Sequence, residues 1–491
     1  MDLHGTRTKE TDSKTKAVTT VNMSVIGLVG TAPDAITGVA ANIMTGSTIM
    51  NTAIVFTATD VGFSGNQLRV TAISGEADAL STLATFADGM LTIALKVNAT
   101  GISIATAADI VTAVDAVITS EITATLYPGI TGAGIVDPFA AVNLKNGEDE
   151  PFPLYTPAII SGSRTQAKKL GITGTLYADT QDILAQAGAL MIVVRVEENV
   201  DEQLQIANIL KGITALEMSQ GTLNYQPRIL IAPEWSTDDG VGKALESMAN
   251  KLRAVTYLDS ESMATAESVA RRGQMYGGRV EILRPRIMVT DSVTGAIVSR
   301  PYSAAAAGHR VRIDEQNGWW WSKSNKDVYG FVGLEQIDSF IIGDEMCVAN
   351  QLNQANISTI IMLGGFRHWG NRLCTADPQW RFESVRRTMD AIEDSIQIMV
   401  TKNYIDRPID KALSISLVGS INSYIRQEIA RGSINGGRAW LDPELNTAES
   451  LAAGKVYVNV AIAPKSPAEE IIITYSIDNT YTVSEFTGAA A

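Results

Sequence analysis

The sequence predicts an α+β multidomain protein with an α/β middle layer, a mostly-β inserted domain, and a C-terminal helix pair plus small β-sheet with extended terminal arms. Three observations predict it. Apolar runs and helical segments alternate between Pro151 and about Thr290. From about Gly46 to Asn146, charge is sparse, Ala and Thr dominate and short alternating stretches recur. From Gly364 to Ile477, two long helical stripes are followed by two short strands, and this stretch reads as one compact module.

The composition bounds the rest. A chain of 491 residues with 45% hydrophobic content has ample core for about three domains. No stretch reaches the roughly 20 uninterrupted apolar residues of a membrane span, so membrane insertion is not expected. The start is too polar for a secretory core, so export by the usual route is not expected either. The two cysteines, Cys347 and Cys374, read as buried free thiols of a reducing cytoplasm. A formal net charge of −14 argues against direct nucleic-acid binding, which needs a basic surface.

Along the chain, a polar Thr- and Lys-rich linker arm (1–22) has no core pattern, and neither terminal arm carries enough apolar periodicity to bury itself. A core strand and turn follow (23–45), where Met23 to Gly30 is an apolar run that ends before Thr31, Ala32 and Pro33. Gly27 and Gly30 do not make a phosphate loop, because no Gly-Lys-Ser/Thr follows and Pro33 sits where a helix would begin donating. The inserted surface domain (46–146) is expected to hold strands at Ala53–Thr59, Gln67–Ile73 and Met90–Val97 and a helix within Thr106–Ile118.

In the α/β middle (147–350), strands are expected at Ala158–Ile160, Leu190–Val196, Arg228–Ile231 and Ala254–Leu258, with helices near Ala178–Ala187, Val200–Leu216 and Gly240–Leu252. The loops after these strands carry Glu197, Glu234 and Asp259. Such a trio could hold a metal, but acidic residues at strand ends more often cap the next helix, and no metal is expected. His4, His309 and His368 are not framed for catalysis, no Ser lies in Gly-x-Ser-x-Gly, and neither Cys has its own base. No catalytic residue and no cofactor are expected.

Pro301–Leu334 is the most distinctive stretch. An alanine-rich short helix leads into Arg310–Asp314, then a polar turn, then Trp319, Trp320 and Trp321. Three consecutive side chains diverge, so at least one is expected to face another surface as an interface anchor; a packed domain corner is the alternative. In the C-terminal core domain (351–475), Val385, Met389, Ile392, Ile396 and Met399 form one stripe, opposite Arg386, Arg387, Asp390, Glu393 and Asp394. Leu413, Leu417, Ile421 and Ile425 form a second stripe in a helix that Pro408 is placed to open. A glycine turn at Gly436-Gly437 is expected next. Strands Lys455–Ile462 and Glu470–Ile477 would then form a small sheet with a free edge, before a C-terminal linker arm (476–491).

These segments together resemble the contractile tail sheath proteins of myophages and R-type pyocins. The matching pieces run in order: Val25–Pro33, Phe152–Pro157, Arg228–Pro233, Pro301–Leu334, Trp369-Gly370, Trp380–Phe382, Val385–Arg387, Gly436-Gly437, Trp440–Asp442 and Gly454-Lys455. The chain departs from the shorter members of that family at Gly46–Asn146. The resemblance implies a homo-oligomer, as a helix or stacked hexameric rings around an inner tail tube, whose arms add strands to neighbouring C-terminal sheets. It further implies contraction without nucleotide, contacts with baseplate and tail terminator proteins, and a place in the virion after assembly in the bacterial host cytoplasm. Within that reading, Lys402, Arg407 and Lys411 near the helix junction are the candidate tube contact, since a polar interface releases quickly. Two other readings stay open: a cytoplasmic α/β enzyme, and an adhesin acting through 46–146.

Overall fold

The computed structural model describes residues 16–76, 79–260, 265–275 and 277–487. The readings made for residues 1–15 and 488–491 lie outside these.

The organising element is β1 (Val25–Thr31), whose seven residues are all buried, as expected of a parallel strand covered on both faces. From β1 the chain enters the inserted region: β2 (Ala40–Thr45), β3 (Ile54–Val61), β4 (Arg69–Ser74), β5 (Leu83–Ala87), β6 (Met90–Leu95), α1 (Ala107–Asp115), β7 (Ile122–Leu126) and β8 (Phe139–Asn143). Two sheets form there, ordered β2-β3-β7 and β5-β6-β4-β8. They close around Phe56, Ile93, Leu95, Ile110 and Val114, and α1 starts on a Thr106–Asp109 capping box. The way in and the way out lie side by side, since Val39 and Glu148 exchange backbone hydrogen bonds of 2.9 and 3.0 Å.

The middle layer continues through β9 (Ala158–Ser161), α2 (Arg164–Ala167), α3 (Leu176–Leu184), β10 (Leu190–Val196), α4 (Glu202–Ala215), α5 (Ser219–Leu223), β11 (Ile229–Ile231), α6 (Asp239–Leu252), β12 (Val255–Asp259), α7 (Thr265–Gln274) and β13 (Val280–Leu283). After it come β14 (Ile287–Thr290), β15 (Ile297–Arg300), α8 (Tyr302–Asn317), β16 (Lys326–Asp327), β17 (Gly333–Leu334), α9 (Val348–Gln354), β18 (Ile357–Met362) and β19 (Phe366–Trp369). Nine strands join in the order β16-β19-β18-β13-β12-β11-β1-β10-β9. The run from β18 to β10 is parallel, with antiparallel β9 at one edge and the antiparallel strands β19 and β16 on the other side.

One correction concerns α8. The alanine-rich segment is not a short helix leading into a separate Arg310–Asp314 piece but a single 16-residue helix, buried from Tyr302 through Ile313. Small side chains allow this. A Cβ on Gly308 would lie 2.5 Å from the Ile183 carbonyl oxygen, so α8 and α3 pack with their backbones close.

The C-terminal part holds α10 (Glu383–Asn403), α11 (Lys411–Arg431), β20 (Ile434–Leu441), α12 (Ala448–Ala452), β21 (Val458–Pro464) and α13 (Thr480–Thr487). Three further expectations need correction. Pro408 does not open α11; Asp410 caps it, its side chain accepting from the Leu413 N–H at 2.6 Å. Gly436-Gly437 is not a turn but lies inside β20, where a Cβ on Gly437 would sit 2.7 Å from the Ala461 carbonyl oxygen and 3.2 Å from Ile425 of α11. The glycine serves close packing. Finally, β21 pairs antiparallel with β20, whereas Glu470–Ile477 forms no strand in the structure.

Candidate assembly surface

The polar stripe of α10 lies against the middle layer, held by buried ion pairs. Arg279 grips Asp390 with both terminal nitrogens at 2.6 and 2.8 Å. Arg228 and Arg253 share Asp394. Arg387 donates twice to Asp314, at 2.6 and 2.7 Å, and once to the Met23 carbonyl at 2.6 Å. Tyr257 donates to Glu383 at 2.7 Å, and Lys323 to Glu281 at 2.6 Å. Burial alone would push the Glu383 carboxyl up, but Lys323, Arg310 and Arg387 outweigh it and hold it at about 2. A seam of this kind is weak evidence for net stability, yet removing one partner strands the other's charge. It therefore fixes how α10 sits on the sheet.

The histidines belong to this packing. His309 and His368 are fully buried with ring centroids 5.7 Å apart, and burial lowers both below the ordinary imidazole value. His368 Nδ1 is 2.9 Å from the Tyr302 hydroxyl. The three carboxylates do not converge as a metal site would require. Glu234 forks with Arg286 at 2.7 and 3.1 Å, Asp259 is buried and accepts from Ser236 and Ser303, and Glu197 points to solvent. Nor do they cap the helices that follow them: α4 and α6 are capped by Asp201 and Asp238, while Asp259 accepts from the first turn of α8.

The described part of the N-terminal arm is docked rather than loose. The Lys16 N–H donates to Ser420 Oγ at 2.6 Å, the Val21 N–H to Ser395 Oγ at 3.0 Å, and Thr20 Oγ1 to Glu428 at 3.1 Å. Val18 and Met23 enter the core of the helix pair. Two apolar residues five apart give no periodic signal, and the serines they lie beside break up the helix stripes, so the sequence did not mark this contact.

The tryptophans divide. Trp319 is buried in the helix-pair core, with Trp320 edge-on to it at 5.0 Å, while Trp321 is 45% exposed. Of the three, Trp321 is the most exposed. Lys402 in the last turn of α10, Arg407 on the connecting turn and Lys411 at the start of α11 are all exposed, with the Arg407 guanidinium 5.6 Å from the Tyr404 ring centre. Ile405 and Ile409 are exposed between them, as are Asp406 and Asp410, so the surface mixes charges of both signs with apolar side chains.

The hairpin β20–β21 is a two-stranded sheet by itself, and the tail beyond it exposes Ile471, Ile472, Ile473, Tyr475 and Ile477. Arg372 and Glu469, 97 positions apart, clasp the root of that tail; nothing local in the sequence pairs them. Beneath the root lies a cleft of about 660 Å³ lined by Trp320, Trp321, Trp369, Asn350 and Lys465.

Residues 375–478 match the phage tail sheath C-terminal domain family. The putative prophage major tail sheath protein of Pseudomonas aeruginosa (strain UCBPP-PA14) is 34% identical over 322 residues, covering 64% of this chain and 83% of that protein. The tail sheath protein of Escherichia phage P2 is 30% identical over 353 residues, covering 69% of this chain and 89% of that protein. This chain belongs to the phage tail sheath protein family.

The fold agrees. A chain of the anti-feeding prophage baseplate in its contracted state superposes with a TM-score of 0.58 at 19% identity, covering 67% of this sheath protein and 91% of that chain. A chain of the sheath complex of an extracellular contractile injection system, PVC, in the contracted state gives 0.53, with 67% and 88% covered. These relatives are matched over most of their own length while about a third of this sheath protein is left over.

Proposed function

We propose that this chain is the repeating structural subunit of a contractile tail sheath. It polymerises as a helix or as stacked hexameric rings around an inner tail tube, and contracts to drive that tube through a cell envelope. Its work is structural, without enzymatic activity and without nucleotide hydrolysis; the energy is stored in the extended packing, as in other bistable assemblies. It sits in the virion tail after assembly in the host cytoplasm, between baseplate and tail terminator proteins. Nucleic acid and membrane are not direct partners.

The observation that carries this reading is the pairing of an open-edged hairpin, β20–β21, with a tail whose isoleucines and tyrosine have nothing to cover them in the single chain. A strand added to a free edge gains main-chain hydrogen bonds and buries alternate side chains. Head-to-tail donation that does not close on itself makes a helical polymer. No helix among the described residues is long and apolar enough to cross a membrane.

Electron microscopy of the purified full chain tests the proposal. Hollow striated cylinders are expected, and a truncation at Glu470 should give folded particles that no longer assemble. A truncated chain that still forms cylinders would sink the tail's role. Because Lys16–Met23 is part of the helix-pair packing, the N-terminal truncation that isolates linking from folding is removal of Met1–Thr15. Reversing the charge of Lys402, Arg407 and Lys411 should leave sheath polymers intact and impair loading onto tubes; loss of polymerisation instead would reassign that surface.

A further inference from the structure

The C-terminal tail leaves β21 at Pro464, and five residues later it is pinned to the α/β layer. Arg372 grips Glu469 through Nε and Nη2 at 2.6 and 2.7 Å, in the paired-fork geometry that makes guanidinium–carboxylate bonds strong and directional. Asn353 Nδ2 donates a third bond to the same carboxylate at 3.1 Å, and the Asn353 carbonyl accepts from Arg372 Nη1 at 3.0 Å. The two charged side chains are only 18% and 29% exposed. Burial pushes the Glu469 carboxyl up, but the bonds from Arg372 and Asn353 outweigh it and hold it below the ordinary value.

The far end of this clasp is firmly seated. The Leu373 N–H donates to the Arg381 carbonyl at 2.7 Å and the Cys374 N–H to the Val280 carbonyl at 2.8 Å, so Arg372 sits beside backbone bonded directly to β13 of the nine-stranded sheet. Beyond the clasp, the apolar side chains of Ile471–Ile477 are exposed.

The position of the pin matters mechanically. Among the described residues β21 pairs only with β20, and a two-stranded hairpin is marginal by itself. A pull applied at Pro464 would open the pairing from its end, beginning at the Ile434–Pro464 register, one bond at a time. A pull taken up at Glu469 passes instead to Arg372 and the sheet behind it. We propose that Glu469, Arg372 and Asn353 form the anchor of the C-terminal arm. The anchor sets Glu470 as the first residue donated to a neighbouring subunit and transfers that neighbour's load from the hairpin to the α/β layer. This rests on the sheath reading above. Without the anchor, Lys465–Glu469 joins the tether and lengthens it by about 17 Å.

Cleavage of the full chain by a lysine-specific endoproteinase tests this. Lys465 lies inside the pinned segment, and exposed Lys455 before β21 is the internal reference. Glu469→Arg and Arg372→Glu should each speed cleavage after Lys465 about tenfold relative to Lys455, as loss of a partly covered forked pair implies. The double exchange, which restores the pair with its charges swapped, should return the ratio to within about twofold of wild type. Single variants that leave the ratio at the wild-type value, or a double exchange cut as fast as either single, overturn the anchor. Unchanged tryptophan fluorescence of each variant excludes global unfolding as the cause. Glu469→Gln, which removes charge without reversing it, should show an intermediate ratio. Microscopy separates the two proposals: wild-type chain that forms no cylinders refutes the sheath reading, while the Lys465 ratio still decides the anchor.

Discussion

Arg387→Met is the sharpest test of the seam between α10 and the middle layer. The guanidinium is fully buried and makes two bonds to Asp314 and one to the Met23 carbonyl. Methionine keeps much of the volume but leaves that carbonyl without its donor and Asp314 with only Arg310 as a charged partner. Breaking a buried pair on one side costs about 3–5 kcal/mol, whereas Arg426→Met on the exposed face of α11 should stay within about 0.5 kcal/mol. A chain of this size need not unfold in one step, so hydrogen exchange along α10 is the proper readout. At 1.36 kcal/mol per decade, protection there should fall by roughly two to four decades. Asp314→Leu combined with Arg387→Met should cost less than the two separate effects added, because neither charge is then stranded. Additive effects, or a loss in Arg387→Met no greater than in Arg426→Met, would refute the reasoning that the seam is an interdependent set of buried charges.

Acid should open the same seam. Glu383 is held at about 2 in the folded chain against an ordinary 4.5, so it contributes stability above pH 4.5 that is lost as pH falls toward 2. Tryptophan fluorescence, reporting Trp319 and Trp320 beside α10, should follow that window, and Glu383→Gln should flatten it. Asp182, which burial raises to about 6, has the opposite sign: its contribution is present at low pH and lost as pH rises through 6. Gly437→Val should destabilise the hairpin by about 1–3 kcal/mol, because the new Cβ meets the Ala461 carbonyl. Gly436→Ala, with open space around it, should be nearly silent in the same melting curve. Replacing Ile43–Leu144 by a two-residue Asn-Gly turn between Asn42 and Lys145, which exchange backbone bonds of 2.8 and 3.0 Å, should leave a folded chain that still forms cylinders.

What the sequence made legible follows the range of the interactions involved. The strand Leu190–Val196 was read with its observed ends, and the helices near 240–252 and 383–403 within a residue or two, because hydrophobic periodicity is a local property. Where the reading failed, a distant contact decided. The alanine-rich start of α8 reads as a short helix of its own, but close approach to α3 lets the helix run on through the core. The Gly436-Gly437 pair looked like a turn, although Gly437 is needed because α11 and β21 both crowd it. The polar stripe of α10 carries no local mark of burial either; its arginine partners come from residues more than a hundred positions earlier. The charged residues Lys402, Arg407 and Lys411 near the helix junction are legible as exposed, whereas Arg372 and Glu469 are not legible at all.

Glu470–Ile477 is the instructive case. Its alternation reads as a strand, yet among the described residues it pairs with no strand and exposes almost every apolar side chain it has. Both observations are satisfied if the strand's partner is another molecule. Alternation encodes the face to be buried, not the chain that buries it. An isolated segment cannot recover the ordering entropy of a strand without that partner. The contrast with residues 16–23 is physical: there Val18 and Met23, with hydrogen bonds from Lys16, Thr20 and Val21, find partners on α10 and α11 of the same chain. A tail left uncovered beside a seam of buried charge thus separates two tasks. The seam holds α10 against the nine-stranded sheet, and on the proposed sheath reading linkage is left to a segment that gains its structure only when a neighbour supplies the edge.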